Sequence, residues 1–266
     1  MTQLPPVHVE GVAFWTAQLP DWQTARAVIR GESLPPQARI ARPTPALLAP
    51  TERRRAPDTV AVALEVGMRA CEAAGQDPAM LAAVFASTHG DLAISDYLCA
   101  TLAATPALIS PTRFHNSVHN AAAGYWSIGT KAHAPYTALS ASVHTFGNGL
   151  LEAATQALSA GQPVLYVAFD AEARGALASM APSRGLLGVA VVLGVETPAK
   201  PSRRLTLTVA PCDTPRPTSA RSPAASLVAH NALAPCLPFF EALADPSPRA
   251  LVLTLGEQLE LQVGLQ

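Results

Sequence analysis

Residues 138–158 read ALSASVHTFGNGLLEAATQAL. A strand of small residues, 136–142, runs into a glycine-bearing turn and then a helix. Side chains at such a turn face the positive end of the helix dipole and free backbone N–H groups, which stabilise a thiolate or an oxyanion. A cysteine there would be activated, but this turn offers Val143, His144 and Thr145. Val143 has no reactive atom. His144 can accept a proton, yet its only neighbouring nucleophile in sequence is the Thr145 hydroxyl, and no G-x-S-x-G elbow is present. The competing reading is structural: His144 and Thr145 cap a core helix, because threonine caps well.

Other reactive side chains are sparser. His115 and His119, in RFHNSVHN, stand four apart and share a face if a helix begins early enough. Zinc needs a third ligand, so helix capping or interface contacts are favoured, and no metal is expected. In VAFDAEARG, Asp170 and Glu172 close a buried strand. Two carboxylates can serve acid–base chemistry, but strand-end capping and pairing with Arg174 are favoured. In STHGD, Gly90 and Asp91 read as a tight turn and a helix N-cap rather than a phosphate loop. The four cysteines are scattered with no CxxC, which fits a reduced, cytoplasmic protein. No cofactor motif is found, and no cofactor is expected.

These residues need a scaffold, and the rest of the chain supplies its pattern. There are 266 residues, 49% hydrophobic and 14% charged, enough for a large core. A net charge of −1 gives nucleic-acid binding no electrostatic support. No apolar run reaches ~18 residues, so no membrane span is expected. The N-terminus lacks a basic segment followed by an apolar run, so no signal peptide is read. VHVEGVAFWT (7–16), AAVFAST (82–88), PVLYVAFD (163–170) and GLLGVAVVLGVE (185–196) read as strands. Between them 21–31, 58–75, 91–104, a small-residue segment from about 117, and 145–161 read as helices. Asp58 is a good N-cap, and Gly75 and Gly161 are good stops. Arg53, Arg54 and Arg55 read as a solvated helix start. Phe146, Leu150, Ala154 and Leu158 recur every four residues as a buried stripe. Continuous apolar strands alternating with helices predict a central, largely parallel sheet covered on both faces. A Pro/Ser/Arg-rich segment, about 211–225, reads as a mobile loop. One last helix, about 226–244, and two strand-like runs follow.

The segment 110–172 resembles the central part of the β-ketoacyl synthases, the thiolase-fold condensing enzymes. A Ser-Pro pair precedes a helix with an Asn-x-x-Ala-Gly pattern, here Asn120 to Gly124. A strand then leads to the position of the family's nucleophilic cysteine in a T-A-C-x-S-G turn. A helix ending in Gly follows, and then a strand whose end, VAFDAE, matches A-G-G-x-E. Counting from Asn120 and Gly124 puts the cysteine position at Val143, and counting from Gly147 puts it at His144, so neither register holds a thiol.

The resemblance implies an α/β, thiolase-like layered fold (αβα). Its first half, about 1–200, is largely complete, and its second half, about 201–266, is strongly truncated. His230 stands near the place of a late family histidine, but the lysine and glycines around it are missing, and a surface or interface role is favoured. Such a chain is similar to the short, cysteine-free ketosynthase-like subunits of aryl polyene and xanthomonadin-type clusters, which resemble chain length factors. The resemblance therefore implies a catalytically silent subunit that pairs with an active β-ketoacyl-ACP synthase, meets acyl carrier protein and shapes the acyl tunnel. By the same resemblance Thr112, Arg113, Phe114, His115, Asn116, Asn120 and Gly124 belong to the tunnel or interface, and Thr145 and Gly147 to the turn. Two alternatives stay open: a stand-alone malonyl-thioester decarboxylase using His144, and a homodimeric acyl-carrier scaffold.

Overall fold

Two runs without a polar side chain until the last residue of the first, β5 (Val164–Asp170) and β6 (Leu187–Gly194), are buried along their whole length. A strand apolar on both faces must be covered on both faces. In the computed structural model, which describes residues 1–196, 202–214 and 216–266, these two strands form the middle of one sheet. Their side chains alternate between two cores. Val164, Tyr166 and Ala168 point into one, and Leu165, Val167 and Phe169 into the other.

The sheet runs β4 (Tyr136–Leu139), β3 (Ala82–Ala86), β5, β6, β2 (Val7–Thr16), β7 (Arg203–Pro211), β9 (Leu259–Leu265), β8 (Arg249–Thr254), with β1 (Thr2–Gln3) on β7. Only β3–β4 and β3–β5 are parallel; the other pairings are antiparallel. The expected largely parallel sheet is therefore a mixed one. An apolar run reports burial on both faces, not direction, and β6 runs antiparallel to both neighbours.

On one face lie α3 (Asp58–Ala74) and α6 (Ala121–Thr130), with Trp126 and Phe85 packed between helix and sheet. On the other lie α1 (Trp22–Ile29), α7 (Thr145–Ala160) and α9 (Leu237–Ala244). Phe146 of α7 meets Tyr166, Phe239 and Phe240 at ring separations of 5.5, 5.6 and 6.2 Å. Each such ring contributes roughly 1.5–3 kcal/mol by burial, so α9, from the shorter second half, is sealed against the helix that follows the turn. Among the described residues the second half adds three paired strands, β7 to β9, to the six of the first.

Local expectations fare unevenly. Asp21 and Asp91 cap α1 and α4 (Leu92–Ala104), accepting from Thr24 and Ile94 N–H at 2.7 and 2.9 Å. Asp58 is instead the first helical residue of α3 and pairs with Arg42, while Pro57 holds the cap position. Arg53, Arg54 and Arg55 end α2 (Pro50–Arg55) rather than open a helix. The last helix is broken into α8 (Ala225–Val228), a 3-10 turn at Ala234–Cys236 and α9. The cause is Asn231, whose buried side-chain amide donates to the carbonyls of Asp170, Arg184 and Gly185, while its oxygen accepts from Leu233 N–H. In the Pro/Ser/Arg-rich stretch, Thr218 exchanges two hydrogen bonds with Val252 of β8, and Arg221 and Ser222 N–H donate to Glu241. The expected division at 200/201 lies outside the described residues.

Candidate functional site

The turn between β4 and α7 sits where the C-terminal ends of β3, β4 and β5 converge. β4 stops at Leu139, and Ser140 to His144 form a tight corner before α7 begins. Ser142 takes a left-handed backbone, φ 53°, a conformation costly for a residue with a Cβ. Thr145 holds it there: its hydroxyl donates to Ser142 C=O at 2.6 Å and accepts from Ala141 N–H at 2.9 Å. Thr145 is thus a buried brace within the first turn rather than a cap. His144 occupies the N-cap position without a side-chain capping bond, and its Nδ1 lies 2.7 Å from Thr254 Oγ1 at the end of β8. Asn148 donates to Leu255 C=O at 3.0 Å. A Cβ on Gly147 would stand 2.7 Å from Thr254 C=O, so only glycine lets α7 approach β8 this closely. Val143 is 62% exposed.

Beside this corner is a buried polar knot. The Asp170 carboxylate accepts from Ser87 Oγ, Thr88 N–H and His89 N–H at 2.9, 3.0 and 3.2 Å. Burial pushes its carboxyl up, and the hydrogen bonds from Thr88, Ser87 and His89 pull the other way without cancelling it. His119 Nε2 donates to Ser87 C=O, and Ser140 Oγ to Thr88 C=O. Asp170 therefore fixes the turn after β3, and Glu172 is exposed away from it. His115 ends α5 (Pro111–His115) and His119 precedes α6, so the pair does not share a helix, and no trio of metal-ligating side chains converges among the described residues. His230 is exposed and contributes its backbone carbonyl, to Arg184 N–H.

The residues 112–124, tied to the knot through His119, border two grooves. α5 is exposed along its length, with Phe114 64% exposed. One groove, about 740 Å³, runs between α5 and α6 past Thr112, His115, Val118, Asn120, Gly124 and Ile128, and is mainly apolar. The other, about 780 Å³, is walled by Asp91, Asp96, Glu172, Arg55, Arg113 and Arg174, and touches Asn116. Burying an acyl chain against that many charges would cost their hydration. Asn116 itself is buried, while Thr112 and Arg55 border both grooves.

Exposed large apolar side chains follow one another here: Leu102, Leu108, Phe114, Val118, Ile128, Tyr136 and Val143. They lie on α4, the adjoining 3-10 turn, α5, α6, β4 and the corner, and α4 packs on α5 as α6 does on β4. β4 ends the sheet, and its outer edge pairs with no described strand. Sequence reading passed over Ser142. Its signal was the tripeptide S-A-S at 140–142, which sets Ser142 third where T-A-C has its cysteine. Among the described residues, no base hydrogen-bonds to the Ser142 hydroxyl.

A family model described as "Beta-ketoacyl synthase, N-terminal domain" matches residues 22–256. No curated protein matches the chain in sequence. Among solved structures, "Ketosynthase (ApeO) in Complex with its Chain Length Factor (ApeC) from Xenorhabdus doucetiae" aligns at TM-score 0.72 and 22% identity, over 98% of this chain and 99% of that one. "The ishigamide ketosynthase/chain length factor" aligns at TM-score 0.70 and 14% identity, again over 98% and 99%. A β-ketoacyl synthase from Burkholderia phymatum STM815 aligns at TM-score 0.54 and 17% identity, over 72% of this chain but 59% of its own. At these identities the likeness concerns the fold, which is that of the ketosynthases.

Proposed function

The chain belongs to the β-ketoacyl synthase family, and on that premise we propose that it is a catalytically silent subunit: a chain length factor that pairs with an active β-ketoacyl-ACP synthase. In this reading it completes the partner's acyl tunnel in a polyene or fatty-acid-type polyketide pathway of the cytoplasm, with substrates arriving on acyl carrier protein. The observation that carries the proposal is the exposed apolar face from Leu102 to Val143, beside the open edge of β4. A surface this apolar marks an interaction site, and an obligate interface commonly exceeds ~2,000 Å².

The corner supports the silent half of the reading. Neither Val143 nor His144 offers a thiol. The Ser142 hydroxyl stands without the adjacent base that a serine nucleophile requires. In fold comparison, two of the similar structures contain a chain length factor with its ketosynthase, and a third is an acyl carrier protein "in complex with its ketosynthase bound to the hexaketide".

The test is reconstitution with a ketosynthase and carrier protein encoded nearby. A 1:1 complex is expected, with extension products only when both subunits are present, and Phe114→Ala shifting product length. The chain alone should leave malonyl carrier protein intact. Decarboxylation by the chain alone, lost in His144→Ala, would replace this reading with that of a decarboxylase. A stable homodimer that ignores every ketosynthase would replace it with the carrier scaffold.

A further inference from the structure

Beside the apolar side chains stands Arg113, which forms no ion pair among the described residues. The Arg113 guanidinium carbon lies 3.9 Å from the centroid of the Tyr97 ring, a cation–π stack. Tyr97 is itself fixed, because its hydroxyl accepts from Ser110 N–H at 3.1 Å and donates to Leu108 C=O at 3.3 Å. A guanidinium carbon over a ring face leaves N–H donors for other partners, and among the described residues the Arg113 guanidinium makes no hydrogen bond. Among the described residues, none of the ion pairs includes Arg113, although Asp96 and Glu172 line the same groove. Its neighbours along the chain are the exposed Leu108, Phe114 and Val118.

These facts conflict with a covering partner unless that partner answers the charge. A subunit that covers Phe114 and reaches over α5 to the groove of Arg113 also strips water from its guanidinium. A cation buried without a partner costs several kcal/mol, an amount comparable with what burying those apolar side chains returns. The acceptor that matches a free guanidinium fork is a carboxylate, bound through two parallel hydrogen bonds. We propose that the partner subunit presents an aspartate or glutamate to Arg113, forming a bidentate ion pair stacked over Tyr97. The inference rests on the heterodimer reading and adds the chemistry that selects the partner: a matching ketosynthase carries the carboxylate, and a mismatched one leaves Arg113 bare.

The experiment titrates the full chain with its co-purifying ketosynthase, comparing wild type, Arg113→Met and Arg113→Lys at two salt concentrations. Arg113 is exposed in the isolated chain, so the variants should fold, and circular dichroism and melting confirm it. Arg113→Met should bind at least ~30-fold more weakly, the loss typical of one partner of a buried charge pair. Arg113→Lys should recover only part of that loss, and the salt dependence of wild type should flatten in Arg113→Met. If wild type binds and Arg113→Met binds equally well or better, the carboxylate is refuted while the heterodimer stands. If wild type binds no ketosynthase, the heterodimer reading fails and takes this inference with it.

Discussion

Ile128 is the sharpest probe of the proposed interface. It lies on α6, borders the apolar groove and is 81% exposed, so it adds little to the stability of the isolated chain. Truncation to alanine removes three carbon groups, each worth about 0.8 kcal/mol when buried. Scaled by the exposed fraction, the partner should recover about 2 kcal/mol from Ile128, or a ~30-fold change in Kd. The melting temperature of Ile128→Ala alone should stay near wild type, because exposed substitutions usually fall within about ±0.5 kcal/mol. Leu34→Ala is the control: Leu34 is 88% exposed, lies in the connection after α1 and lines neither groove. The assay is calorimetric titration of each variant with the ketosynthase. A Kd for Ile128→Ala within about twofold of wild type would refute the assignment of this face, since no buried isoleucine is that indifferent.

Two further predictions concern the scaffold. Asp170→Asn should lower unfolding stability by roughly 1–3 kcal/mol in urea, because the amide turns a donor toward groups that already donate to the carboxylate; an unchanged midpoint would show that the knot does not hold the turn after β3. Asp245 is held at about 2, below its ordinary 3.8, by Ser247 N–H and the Arg249 side chain. A carboxyl lowered on folding stabilises above its unfolded value and loses that contribution as pH falls through the folded one. The melting difference between wild type and Asp245→Asn should therefore be constant above about pH 4 and shrink from there toward about pH 2; a constant difference across that window would remove Asp245 from the acid response.

The sequence was most legible where structure is set by neighbours in the chain. β5 and β6 announce themselves as apolar runs, and Asp91, Gly75 and Gly161 mark helix ends through contacts a few residues long. Legibility failed where distant groups decide. The break between α8 and α9 depends on Asn231 reaching carbonyls at 170, 184 and 185. Strand direction depends on where each chain re-enters the sheet, which no periodicity records. The small-residue helix begins at Ala121 rather than near 117, because His119 is drawn to Ser87 C=O at the end of β3. At the corner, the family pattern gave two registers, and the backbone distinguishes a third residue, Ser142, by a conformation that a serine seldom adopts.

That strained corner explains how the turn can keep its shape without a cysteine. A left-handed serine costs of order 1–3 kcal/mol, so it survives only where its surroundings over-determine it. Here Thr145 ties Ala141 to Ser142, Ser140 ties β4 to the turn after β3, and His144 and Asn148 tie α7 to the end of β8. These bonds lock the exit of β4 to the turn after β3 and to the end of β8. They thereby set where the open edge of β4 and the exposed Val143 stand relative to α5 and α6. Chemistry at the corner needs a thiol, but geometry at the interface needs only the corner. If the apolar face is what the molecule uses, the turn has a structural task that loss of the cysteine leaves intact.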